Sequence, residues 1–118
     1  MDMQIDGLRV LVTAGAGGIG LETARAFARE GARVFVCDVD IAALDAMKTS
    51  DPAIRAVVCD VADRAAVGKM FDEALAFLGG LDCLVNNAGI AGPTARVEEI
   101  RPEDWDRCIE VCLTSQFN

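Results

Sequence analysis

Apolar residues collect in four short, β-branched runs, Leu8 to Thr13, Arg33 to Cys37, Ile54 to Cys59 and Leu81 to Val85. Each is nearly continuous rather than alternating, the pattern expected of strands covered on both faces. Between them the period changes to that of a helix. Over Gly18 to Glu30, Gly20, Ala24, Phe27 and Ala28 share one face, and Gly31 stands where the helix should end. A shorter helix is predicted from Ile41 to Lys48, with Asp40 as its cap. Asp63 to Leu78 carries an apolar stripe of Val67, Met70, Phe71, Ala74 and Leu78, stopped by Gly79 and Gly80. A fourth helix starts near Pro102, a good first-turn residue, with Glu103 and Asp104 where the helix dipole favours acids. Its predicted inner face is Trp105, Ile109, Cys112 and Leu113. Strand and helix in regular alternation predict right-handed βαβ units, hence one α/β domain over residues 1–118 with a doubly wound parallel sheet.

Composition narrows the partners. With 53% hydrophobic and 25% charged residues, the 118-residue chain is too apolar for disorder and too often interrupted by charge to span a membrane. Its acidic start, Met-Asp-Met-Gln-Ile-Asp, lacks the features of a secretory signal. A net charge of -8 argues against nucleic acid as a partner. A soluble cytoplasmic domain is therefore expected. Histidine and tyrosine are both absent, which leaves carboxylates, Lys48, Lys69 and cysteines for proton transfer. Cys37, Cys59, Cys83, Cys108 and Cys112 form no Cys-x-x-Cys, so no metal site is expected, and three of them sit in apolar runs as small hydrophobes.

The chemistry concentrates in Thr13-Ala14-Gly15-Ala16-Gly17-Gly18-Ile19-Gly20, where the first strand turns into the first helix. Gly15, Gly17 and Gly20 satisfy G-x-G-x-x-G, a pattern that suits a tight turn, close approach of a pyrophosphate and helix packing on the sheet. The helix N-terminus behind it offers free N–H donors to phosphates. A small-residue turn without a ligand is the alternative. The second strand ends at Asp38, followed by Val39, at the spacing where a carboxylate meets an adenosine ribose. A 2′-phosphate would meet like charge there, and no Arg or Lys lies between Val34 and Ala46. NAD is preferred over NADP on this reading. Asp38 could instead serve as a turn residue or cap, a duty Asp40 already fills.

These motifs, with Cys59-Asp60-Val61 and Leu84-Val85-Asn86-Asn87-Ala88-Gly89, resemble the N-terminal part of a short-chain dehydrogenase/reductase over nearly the whole chain. The resemblance implies a four-stranded order 3-2-1-4, with the chain ending inside the fourth helix. It places Ala14, Gly15, Ala16, Gly17, Gly18, Ile19 and Gly20 at the cofactor, together with Asp38 and Val39. Asp60 and Val61 would lie against the adenine, and Asn87, Ala88 and Gly89 along the ribose and nicotinamide side, with Asn86 supporting the sheet. The implied activity is NAD-dependent hydride transfer to or from a small hydroxyl or carbonyl substrate.

Three departures qualify it. Ala14 replaces the family's usual first glycine. Cys112 stands where the family carries a catalytic asparagine; lacking the amide's paired donor and acceptor, it reads as a residue that merely packs the helix. The family's serine and its Tyr-x-x-x-Lys pair lie beyond Asn118, so no catalytic residue falls within this chain. The expectation is the front portion of a longer enzyme, inactive alone and forming a homo-oligomer. Its exposed last strand also admits an inactive nucleotide-binding module that self-associates. Another adenosyl ligand, as in methyl transfer, is a third reading, which the Asn-Asn-Ala-Gly run disfavours.

Overall fold

A computed structural model describes residues 2–118. Four parallel strands, β1 (Arg9–Thr13), β2 (Arg33–Asp38), β3 (Arg55–Val58) and β4 (Cys83–Val85), form one sheet in the order β3-β2-β1-β4. Helices α1 (Gly18–Arg29), α2 (Ile41–Ser50) and α3 (Arg64–Leu78) connect them. Helix α4 (Pro102–Ile109) follows β4 and runs through a π turn at Glu110–Thr114 into a last helical turn at Ser115–Phe117. The doubly wound parallel sheet is thus present in the expected order. No helix among the described residues is long and apolar enough to cross a membrane.

Alternation along the two central strands divides the core between the faces of the sheet. Val10, Val12, Val34 and Val36 pack with Ala24, Leu44 and Met47 under α1 and α2. Leu11, Phe35 and Cys37 face the other way, against Val67, Met70, Ala74 and Leu78 of α3. Strands β1 and β2 are buried on both sides for this reason. The register Thr13↔Cys37 then delivers the ends of both strands, and so the loops that follow them, to the same rim of the sheet.

Asp40 and Asp63 cap α2 and α3 by accepting the N–H groups of Ala43 and Ala66 at 3.0 and 3.1 Å. Gly79, in the left-handed region at φ 79, closes α3. Arg25 clamps the end of α2 to α1 through Asp51 at 2.8 Å. Arg9 and Asp82 tie the start of β1 to the approach of β4, also at 2.8 Å.

Three expectations are corrected. The runs at Ile54 to Cys59 and Leu81 to Val85 are strands only over Arg55–Val58 and Cys83–Val85. Both are edge strands, as the order 3-2-1-4 implied for the last one, and Val58 and Leu84 are exposed, so the uniform apolar composition did not mean burial on both faces. On the fourth helix, Trp105, Ile109 and Leu113 are exposed, and Val111 is the residue that packs inward. The less exposed positions, Asp104, Cys108, Val111, Cys112 and Ser115, keep helical spacing straight through the π turn, so the inner face is rotated by one position from the expected one.

Candidate functional site

The turn after β1 is built around Thr13 and Asn87. Thr13 is buried, and its hydroxyl oxygen accepts the backbone N–H groups of Asn87 and Ala88, each at 3.0 Å. The Asn87 amide nitrogen donates to the Thr13 and Ala14 carbonyls, each at 3.2 Å. The loop after β4 is thereby bonded to the loop after β1, and the two form one surface.

Within that surface the glycines divide by task. A methyl group on Gly15 would lie 2.7 Å from the Val36 side chain, and one on Gly20 would overlap the Ala14 carbonyl and lie 2.6 Å from the Asn87 amide. These two permit close packing. Gly17 and Gly18 are exposed, with open space where a Cβ would project, so bare backbone faces outward. Unlike α2 and α3, α1 starts without a side-chain cap, and it has no acid in its first turn. Its first N–H groups therefore stay free for an anion. Ile19 is exposed beside them, whereas Ala16 is buried.

Ala14 adopts a left-handed backbone, φ 52. Alanine there replaces a glycine at a position whose geometry favours glycine, so the departure has a conformational cost of about 1–2 kcal/mol.

Asp38 ends β2 with both carboxylate oxygens anchored: one accepts from the Ala16 N–H and the other from the Asp40 N–H, each at 3.1 Å. Asp60 is held in the same manner, one oxygen on the Ala62 N–H at 3.0 Å and the other on the Arg107 guanidinium at 3.1 Å. Between them lies a cavity of about 180 Å³ lined by Ala14, Asp38, Val39, Cys59, Asp60, Val61, Ala88, Gly89, Ile90, Arg107 and Val111. That is below the roughly 300–1,000 Å³ of a complete small-ligand site, a size for one moiety of a larger ligand. A larger hollow of about 500 Å³, lined by residues that include Asp6 and Phe27, opens at the other end of α1, away from the carboxyl ends of the strands.

Seven of the expected residues, Ala14, Asp38, Val39, Asp60, Val61, Ala88 and Gly89, thus meet at one cavity. Gly17, Gly18 and Ile19 stand outside it at the α1 terminus. Gly15, Ala16, Gly20 and Asn87 form the support behind.

The assembled rim joins a glycine turn, a carboxylate at the end of the second strand and an Asn-Asn-Ala-Gly loop after the fourth. Residues 9–118 match the family model described as "short chain dehydrogenase". The chain belongs to the short-chain dehydrogenase/reductase family. Among its relatives in this family is a (5R,7aS)-5-hydroxy-7a-methyl-1-oxo-2,3,5,6,7,7a-hexahydro-1H-indene-carboxyl-CoA reductase of Mycobacterium tuberculosis, 41% identical over 96% of this chain and 45% of the relative. A D-threitol dehydrogenase of Mycolicibacterium smegmatis is 38% identical over 98% of this chain and 46% of its own length. A solved 3-ketoacyl-(acyl-carrier-protein) reductase from Brucella melitensis, complexed with NADH, superposes with a TM-score of 0.90 at 32% identity, covering 96% of this chain and 47% of that one. This short-chain dehydrogenase/reductase chain therefore spans about half the length of these relatives.

Two residues of the site escaped the sequence reading. Thr13 counted only as the first letter of the glycine loop, although a hydroxyl at a strand end next to a turn is a plausible backbone anchor. Arg107 had one available signal, its position one turn before the inward-facing Val111.

Cys112 needs a correction. Its sulfur accepts the Ile90 N–H at 3.4 Å and its thiol donates to the Ile90 carbonyl at 3.3 Å. A thiol has one donor and one acceptor, enough to satisfy one backbone residue on both sides, so Cys112 clasps the loop after β4 rather than merely filling the helix.

The remaining thiols differ. Cys37 and Cys59 are buried, and burial pushes the Cys37 thiol up to about 12 and raises that of Cys59. Neither is a nucleophile at neutral pH.

Proposed function

We propose that these 118 residues are the cofactor-binding part of an NAD-dependent oxidoreductase. The bound group would supply hydride transfer between its nicotinamide and a small hydroxyl or carbonyl substrate. The chain's own residues do the holding. The free N–H groups of Gly18, Ile19 and Gly20 at the α1 terminus receive the pyrophosphate, for which Gly17 leaves open space. Asp38 accepts from the ribose hydroxyls, Val39, Asp60 and Val61 take the base, and Asn87, Ala88 and Gly89 border the nicotinamide side.

The observation that carries this reading is Asp38. Its carboxylate is oriented by two backbone N–H groups and borders the cavity while keeping lone pairs free. The same charge repels a 2′-phosphate. Arg107, the cation of the cavity lining, contacts Asp60 and not Asp38. This supports NAD over NADP. Calorimetric titration tests it. NAD+ should bind at least roughly tenfold more tightly than NADP+, and Asp38→Ala should weaken NAD+ by roughly ten- to a hundredfold, as for loss of a charge-assisted hydrogen bond. Unchanged NAD+ affinity in that variant overturns the assignment.

The sequence holds no tyrosine, so the family's proton donor is missing from these residues. Binding without turnover is the expected behaviour of this chain alone.

One observation favours a second reading, an inactive nucleotide-binding module that self-associates. Leu84 on the open edge of β4 is exposed, as are Trp105, Ile109, Leu113 and Phe117 on the last helical segment. Sedimentation velocity separates the two. A stable dimer that binds NAD+ and has no activity when the substrate-side residues of a relative are supplied favours the module.

A further inference from the structure

Arg107 is a charged member of the cavity to which the cofactor reading gives no task. We propose that it is a specificity-determining residue: paired with Asp60, it gives the base pocket both an acceptor and a donor, so that the pocket accepts a purine with a 6-amino or a 6-oxo group. This inference rests on the cofactor reading above.

The argument is one of unfilled valences. The Asp60 carboxylate offers about four lone-pair directions, and the Ala62 N–H and the Arg107 guanidinium take two of them. A 6-amino N–H can therefore still donate to it. A guanidinium has five N–H donors, and the contact to Asp60 uses Nη2 alone. Donors remain for a 6-oxo group, which a bare carboxylate would repel.

Geometry allows the exchange. The pair is a single contact at 3.1 Å with both side chains 40% or more exposed, so little holds the guanidinium to one partner. Val61 and Val111, both buried, supply apolar surface for the faces of a base and leave its edge to be read by the charged pair.

The experiment compares NAD+ with nicotinamide hypoxanthine dinucleotide, which differs in this one group, by calorimetry on the wild-type chain, Arg107→Met and Arg107→Lys. Wild type should bind the two within about threefold of each other, and Arg107→Met should raise the preference for NAD+ by roughly tenfold or more. Arg107→Lys should restore part of the tolerance, because an ammonium also donates. Three results overturn the proposal: discrimination of roughly tenfold or more already in the wild type, an equal loss of both ligands in Arg107→Met, or a Lys variant that behaves like Met. Failure of both dinucleotides to bind the wild-type chain instead overturns the cofactor reading, and this proposal with it.

Discussion

The Asn87 amide nitrogen stands 3.2 Å from the carbonyl oxygen of Ala14, and that bond ties the turn after β1 to the loop after β4. Gly20 is confined by the same pair, since a methyl group there would collide with both. Asn87→Ala removes the donor from two carbonyls at once. At about 1 kcal/mol for each lost bond, the variant should be less stable by roughly 2 kcal/mol. On the proposed cofactor reading, dinucleotide affinity should fall as well, because the glycine turn is no longer held. Denaturant titration with calorimetry checks both, and an unshifted midpoint would contradict the role given to Asn87.

Ala14 offers the opposite change. Left-handed alanine costs about 1–2 kcal/mol, whereas glycine adds about 0.4–1 kcal/mol of unfolded-state entropy. Ala14→Gly should therefore stabilise the chain by up to about 1 kcal/mol, a rise in midpoint temperature of about 4 °C for a chain of this size. Loss of stability in a thermal melt would mean that the φ of 52 is not strained.

Acid should act through Asp82. Its hydrogen bonds from Arg9 hold the carboxyl at about 2, below the ordinary 3.8. Because the folded value lies beneath the unfolded one, this pair stabilises the fold above about pH 4 and the gain disappears as pH falls toward about 2. Asp51, lowered by Arg25, acts in the same direction. Thermal melts across this range should show a shallower acid slope for Asp82→Asn than for wild type. Parallel slopes would remove Asp82 from the account.

The clasp between Cys112 and Ile90 is open to hydrogen exchange. Cys112→Ala takes away the acceptor of the Ile90 N–H, and for a bond of about 1 kcal/mol the amide should exchange about fivefold faster. Cys112→Asn restores a donor and an acceptor and should keep protection near the wild-type level. Equal exchange in all three proteins would return Cys112 to a packing role.

What was legible in the sequence had local causes. Asp40, Asp63 and Gly79 act within one turn of themselves, and the Val67-Met70-Ala74-Leu78 stripe is a single helix face, so each could be read before any tertiary contact was known. The glycine turn and Asp38 were legible because their spacing follows from one strand-helix-strand unit. Edge strands were harder. Leu81 to Val85 has the composition of a buried strand, and it was the order implied by the resemblance, not the composition, that marked it as an exposed edge. The inner face of α4 was misplaced by one position because apolar character pointed to Trp105 and Ile109, whereas the helix rests on Asp104, Cys108 and Val111. Arg107 was invisible for another reason: it pairs with Asp60 across 47 positions, and nothing local to either residue announces the other.

On the proposed cofactor reading, Asp38 also constrains how cofactor preference could change. Its two oxygens serve as acceptors for Ala16 in the glycine turn and for Asp40 at the start of α2. Exchanging it for a residue without acceptors, such as Ala, Lys or Arg, to admit a phosphorylated ribose would take the partner from both N–H groups. Retargeting this fold to the other nicotinamide dinucleotide therefore requires compensating substitutions in the turn and at the helix start, and a lineage that altered Asp38 alone would pass through a weakened protein before it gained a new ligand.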